Sequence, residues 1–245
     1  MIPLAEAIFG PLIVPECRRS AGRFWTFVLR SLAAAAAASV VLIVLWWWWF
    51  GVELDPNYQP AEAILVGLVA IASLAVAFAS LVPPAVLAGS LAGDKERGAL
   101  ALLLTTRVNS WEIVTGRLGG RLARVAAILL SAAPFGLLMA NLADLRVSTI
   151  LALGSLPLVL AAGIGGLSLA SSALFRRGRD ALLAVYLLLF LVLPLSLLAA
   201  SSYSRELWEW IAPINPFVGI IALVKDENPW PSLATMLAWG VLGLL

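Results

Sequence analysis

The sequence contains no histidine and one cysteine, Cys17. Without histidine the chain lacks the commonest general base and the commonest metal ligand. A lone cysteine excludes an intrachain disulfide. Charge is also scarce: Asp, Glu, Lys and Arg make up 12% of 245 residues, against about 25% in an ordinary soluble domain. There is no Gly-x-x-x-x-Gly-Lys-Ser/Thr phosphate loop, so this chain does not bind ATP by that route. His-Glu-x-x-His, Gly-x-Ser-x-Gly and an acidic pair inside an apolar run are missing too, which leaves intramembrane hydrolysis without its usual groups.

What the chain has instead is apolar surface. Hydrophobic residues account for 62% of it. A soluble fold of this size cannot hide so much, because much of any folded surface must face water. A bilayer resolves the conflict by acting as the apolar solvent. The pattern predicts an all-α membrane protein forming a single transmembrane domain over residues 1–245, with six transmembrane helices at about 31–51, 63–91, 122–142, 147–174, 181–201 and 232–245. Each but the last has the roughly 20 apolar residues a crossing needs. The last has 14 residues, or about 21 Å of helix, which suggests a chain cut short. The first 30 residues do not read as a cleavable signal, because the apolar stretch comes after the basic cluster and runs long.

Several local signals refine this pattern. Trp46, Trp47, Trp48 and Trp49 close the first run, and indole rings favour the headgroup level. Pro83-Pro84 should kink or break the second span near one end. Asp144 and Arg146 mark a tight turn, and Gly163-Ile164-Gly165-Gly166 offers a small-residue surface for close helix approach. The stretch 202–231 mixes tryptophan and proline and reads as one or two short interfacial or re-entrant helices on the outer side, tolerable only under protein cover or beside a wet cavity. Residues 1–30, with Arg18, Arg19 and Arg23 among apolar neighbours, read as an interfacial N-terminal helix or as plain anchoring to anionic lipid.

Charge orients the chain. Thirteen of the sixteen basic residues fall in the N-terminus, the 93–124 segment and the 175–180 turn; Arg146, Arg205 and Lys225 fall on the other side. The excess of positive charge on cytoplasmic loops makes the first side, including the N-terminus, cytoplasmic. Arg117, Arg121 and Arg124 share a helix face there and read as a basic collar at the boundary. Since basic residues track this boundary and line no groove, nucleic-acid binding is not expected. Inside the spans the main polar residues are Tyr186, Ser168, Ser171, Ser172 and Asn141. The lack of charge at mid-membrane argues against a proton-coupled path and favours an apolar or amphipathic cargo, or a pathway between two subunits.

The 93–121 segment is the informative one. Asp94 can cap a short helix and Glu96 suits its positive first turn. Thr105 to Asn109 reads as a turn, and Asn109 with Glu112 as a capping arrangement for a second helix leading into span three. The first helix, with exposed Leu100, Leu103 and Leu104, is a docking surface by composition. The string Asp94-Lys95-Glu96-Arg97-Gly98-Ala99-Leu100-Ala101-Leu102-Leu103-Leu104, then Glu112-Ile113-Val114-Thr115-Gly116-Arg117-Leu118, resembles the cytoplasmic loop of ABC type-2 transporter permeases. Pro11-Leu12-Ile13, Glu16-Cys17-Arg18-Arg19 and Ile214-Asn215-Pro216-Phe217 are similar to other segments of that family, so the resemblance covers most of the chain.

The resemblance implies a permease subunit in the cell inner membrane, with cargo export as the family habit and not a reading of residues. It implies a coupling helix at Asp94, Lys95, Glu96, Arg97, Gly98, Leu100, Leu103, Leu104 and Glu112 that docks on a separate ABC ATP-binding subunit. ATP and Mg would be bound by that partner, with no cofactor or metal in this chain. A second permease subunit, identical or not, and membrane lipid complete the expected partners. Two other classes stay open: a secondary carrier or channel, whose transport persists without ATP, and a membrane scaffold or enzyme.

Overall fold

The computed structural model describes residues 24–54, 59–88, 110–175, 177–202, 215–225, 234–235 and 237–241. Among them the regular structure is α-helical. The helices are α1 (Phe24–Leu54), α2 (Pro60–Leu87), α3 (Ser110–Leu142), α4 (Val147–Leu174), α5 (Gly178–Ser202) and α6 (Pro216–Lys225). Residues 234–235 and 237–241 are also helical. Four helices, α1 to α4, are long and apolar enough to cross a membrane. The chain is therefore a multi-pass membrane protein.

The limits of these helices differ from the expected spans in instructive ways. α1 begins at Phe24, seven residues before position 31, because nothing in Phe24-Trp25-Thr26-Phe27-Val28-Leu29-Arg30 breaks a helix; these residues are thus continuous with the first span. Of the interfacial N-terminal segment, only residues 24–30 are described. α2 does not break at Pro83-Pro84: the helix runs through both prolines to Leu87. α3 is one uninterrupted helix, so the second helix expected to lead into span three is continuous with it from Ser110. α4 occupies 147–174. α5, at 25 residues, covers the place of the fifth expected span. Between 202 and 231 the structure describes α6, whose ten residues make about 15 Å, half a bilayer core.

α2 sits at the centre and packs against α1, α3, α4, α5 and α6. Its neighbours are chosen by side-chain size. In α1 the buried face is Thr26, Ala33, Ala37, Val41 and Val44, while Leu32, Leu42, Ile43 and Leu45 point outward. Lipid tails are as apolar as leucine, so hydrophobicity alone cannot drive helices together in a bilayer; small residues bring backbones close enough for dispersion to do so. Gly67 shows the same rule, since a methyl there would lie 2.5 Å from Val44 Cγ2. In the 163–166 patch, Gly163 lies against the backbone of Trp239. Two clusters fill the interior. One joins Val76, Ala79, Ile128, Leu156, Ile164, Val185 and Trp239; the other joins Ala37, Val41, Leu68, Ile71, Met139 and Val224.

α6 has a complete N-terminal cap. Asn215 is fully buried; its Oδ1 accepts the Phe217 amide at 3.0 Å, and its carbonyl accepts the Gly219 amide at 3.1 Å. Pro216 comes next, at the first helical position, where its missing N–H costs nothing. The Asn215 Nδ2 donates to the Leu193 carbonyl at 3.1 Å, fixing α6 against α5.

Candidate coupling and translocation site

The sequence assigns the docking function to the segment between α2 and α3, and its two roots are described although its middle is not. Asp94, Lys95, Glu96, Arg97, Gly98, Leu100, Leu103 and Leu104 lie outside the described residues, as do Arg18, Arg19 and Arg23. Glu112 and Arg117 stand in the first turns of α3.

At the first root, two prolines stand within the last turns of α2. Neither has an N–H, so the carbonyls of Ala79 and Ser80 lose their usual i+4 donors, and proline rings crowd the carbonyls one turn back. Side chains bond other carbonyls on either side of the pair. The Tyr186 hydroxyl of α5 donates to the Leu81 carbonyl at 2.8 Å. The Ser80 hydroxyl donates to the Val76 carbonyl at 2.8 Å. Beyond the prolines, the Ala88 amide donates to the Pro84 carbonyl at 2.9 Å, and the Arg121 guanidinium donates from Nη1 to the Val86 carbonyl. Val86 lies in the last turn of α2, where carbonyls lack helical donors and the helix dipole favours a cation. Helical spacing puts Arg121 in a collar toward headgroups; in the structure at least one of its N–H groups is turned inward onto α2. Arg124, one turn on, is half-buried. Packing reinforces the junction: a methyl on Gly165 of α4 would lie 3.0 Å from Leu87 and 3.2 Å from Leu122.

A cleft of about 400 Å³ opens further along the same helices. Leu68, Ile71 and Ala75 of α2, Ala132, Gly136 and Leu137 of α3, and Leu151, Gly154 and Leu158 of α4 are among its walls. Leu137, Leu151 and Gly154 are exposed, so the mouth lies on the outer surface between α3 and α4. The one polar side chain among the lining residues is Ser155, and its hydroxyl is already bonded to the Ala152 carbonyl at 3.2 Å. With that donor used, the cleft is almost wholly apolar and suits an apolar guest. Gly154 leaves open space where a side chain would stand.

Of the polar residues singled out inside the spans, Ser168, Ser171 and Asn141 are occupied locally. Ser168 bonds the Ile164 carbonyl at 2.6 Å, Ser171 the Ser168 carbonyl at 2.8 Å, and Asn141 the Leu137 carbonyl at 2.8 Å. Such i−3 and i−4 bonds are how these side chains satisfy themselves in apolar surroundings. Trp46, Trp47, Trp48 and Trp49 are all exposed, Trp49 at 72%. Trp25 at the other end of α1 is equally exposed. The 21 residues from Trp25 to Trp46 correspond to about 31 Å of helix, about one hydrocarbon thickness.

Sequence reasoning missed the cleft and the Arg121–Val86 bond. The bond had a signal: an arginine just inside the apolar run of α3, facing across one loop to a helix C-terminus that attracts cations. The cleft had none, because leucine and alanine line cores, lipid faces and clefts alike.

A sequence model of one protein family, described as ABC-2 family transporter protein, matches residues 48–245. The match contains α2, α3 and the whole segment between them. No curated protein matches the sequence.

Proposed function

The chain belongs to the ABC-2 transporter family, and from that premise we propose that it is the permease subunit of an ATP-driven exporter. Members of the family generally work with an ABC ATP-binding subunit. In this reading the energy comes from such a separate subunit, which binds ATP and Mg. The motif at residues 94–104, with Glu112, docks on it from the cytoplasmic side of the inner membrane. The N-terminus shares that side, and α5, α6 and the segment around Trp239 complete the membrane domain. Two permease chains, identical or not, enclose the pathway.

The observation that carries the reading is the family match across the loop and both helices rooted beside it. Closure of the ATP-binding subunit would push on the loop and reach the bundle through α2, the helix that touches every other. The apolar cleft favours a cargo with an apolar part, because an almost wholly apolar site cannot repay the desolvation of a polar one.

Co-purification tests the proposal. The chain is expressed with the ATP-binding subunit encoded nearest to it. Replacing Glu96 and Leu103 is expected to abolish capture of that subunit while membrane insertion is unchanged. Undiminished capture removes the docking assignment. Labelling that places residues 94–112 on the outer side removes the orientation as well.

A further inference from the structure

The bonds around Pro83-Pro84 form a pattern. Leu81 and Val86 flank the two prolines, and each of their carbonyls receives a side-chain donor from a different neighbour, Tyr186 of α5 and Arg121 of α3. The two acceptors are five residues apart, about 7.5 Å along the axis. The stretch between them is where α2 is weakest by its own chemistry, since two successive residues give no backbone donor. A proline pair in a helix ordinarily marks a bend that yields under load. Here the yielding stretch is held from both sides.

The charges explain the choice of donors. Arg121 lies three residues inside the apolar run of α3, which begins at Leu118. A guanidinium at such a depth either extends to the headgroups or finds a carbonyl. The end of α2 supplies a carbonyl at the negative pole of a helix dipole. The acceptor is one residue from the end of α2, and the donor stands eleven residues past the start of α3, so the bond closes the base of the loop between them.

We propose that Arg121 and Tyr186 are positioning residues that lock the double-proline end of α2 to α3 and α5, so that force on the loop displaces the three helices as one body. The claim about force rests on the coupling role proposed above; the lock itself does not.

Spin labels test it. In a Cys17→Ser background, Ala85→Cys and Ala123→Cys, both exposed positions, report the α2–α3 separation in lipid nanodiscs. Ala85→Cys with Leu183→Cys reports α2–α5. The parent pairs are expected to give one narrow distance distribution each. Arg121→Met should add a longer-distance component to the α2–α3 pair, and Arg121→Lys, which keeps a charged donor, should restore the narrow form. Tyr186→Phe should broaden the α2–α5 pair alone. An unchanged Arg121→Met distribution overturns the lock. Equal broadening by Lys and Met also overturns it, because shape and not donation would then hold the helices. If Arg121→Met does not fold, Tyr186→Phe decides through its single lost oxygen, an unchanged α2–α5 distribution counting against the proposal.

With the ATP-binding subunit bound, Mg-ATP should leave the parent α2–α3 distance unmoved and shift it in Arg121→Met. Movement in the parent, or none in the variant, overturns the claim about force. If no such subunit co-purifies with the parent, the coupling role fails, and the nucleotide-free distances still decide on the lock.

Discussion

At residues 81–88 α2 is fastened by side chains from two neighbours, whereas the cleft that its residues 68–75 help to line contains only one polar side chain, already turned back on its own helix. One end has directional bonds with defined partners. The other has dispersion contacts that any apolar group of similar volume replaces at little cost. A junction that passes on displacement needs the first kind of construction, and a cavity that admits guests tolerates the second. Both share α2 and α3.

The largest test of this contrast substitutes one residue type on one helix. Gly165→Leu at the fastened end must displace Leu87, Leu118 and Leu122; overpacking of this kind costs about 1–3 kcal/mol. A clear fall in thermal midpoint, monitored by tryptophan fluorescence in detergent, is expected. Next is Tyr186→Phe, which removes one hydrogen bond and should cost about 1 kcal/mol; a change well below half of that would mean the Leu81 carbonyl needs no second donor.

Asp144→Gly is expected to stabilise. Asp144 has a positive φ of 51°, a conformation that costs an ordinary L-residue about 1–2 kcal/mol. Glycine's greater chain entropy offsets part of that gain, so less than about 1 kcal/mol should remain in the same melt. Smallest of all is Gly154→Leu, whose new side chain meets open space; the midpoint should move by no more than about 0.5 kcal/mol in stability terms. If Gly154→Leu were as damaging as Gly165→Leu, the cleft would be packed interior and the contrast would disappear.

The sequence carries the positions of the helices well and their ends poorly. Apolar length is additive and local, so α4 at 147–174 is readable directly. Helix ends depend on the neighbouring residues and on tertiary contacts. Phe24 to Arg30 could lie on the membrane or continue into it, and propensity does not choose between them. Pro83-Pro84 predicts a kink or a break because proline's cost is local, while the donors that reach the carbonyls beside the pair come from residues 35 and 105 positions away. The inward facing of Arg121 is not legible, because helical spacing groups it with Arg117 and Arg124 and gives no information on which neighbour the group meets.

The turn after α3 bears on how the cleft can change shape. Its amides fold back in a closed pattern, Leu145 to the Ala140 carbonyl and Asp144 to the Asn141 carbonyl, each at 3.2 Å, with Asp144 in the left-handed position that such helix ends require. Four residues, 143–146, separate two cleft walls, α3 and α4, and while these bonds hold they leave little slack in the chain. The two walls therefore cannot part in parallel. They can only swing, like the blades of scissors riveted at 143–146, and the distance gained by a guest grows with its distance from that rivet.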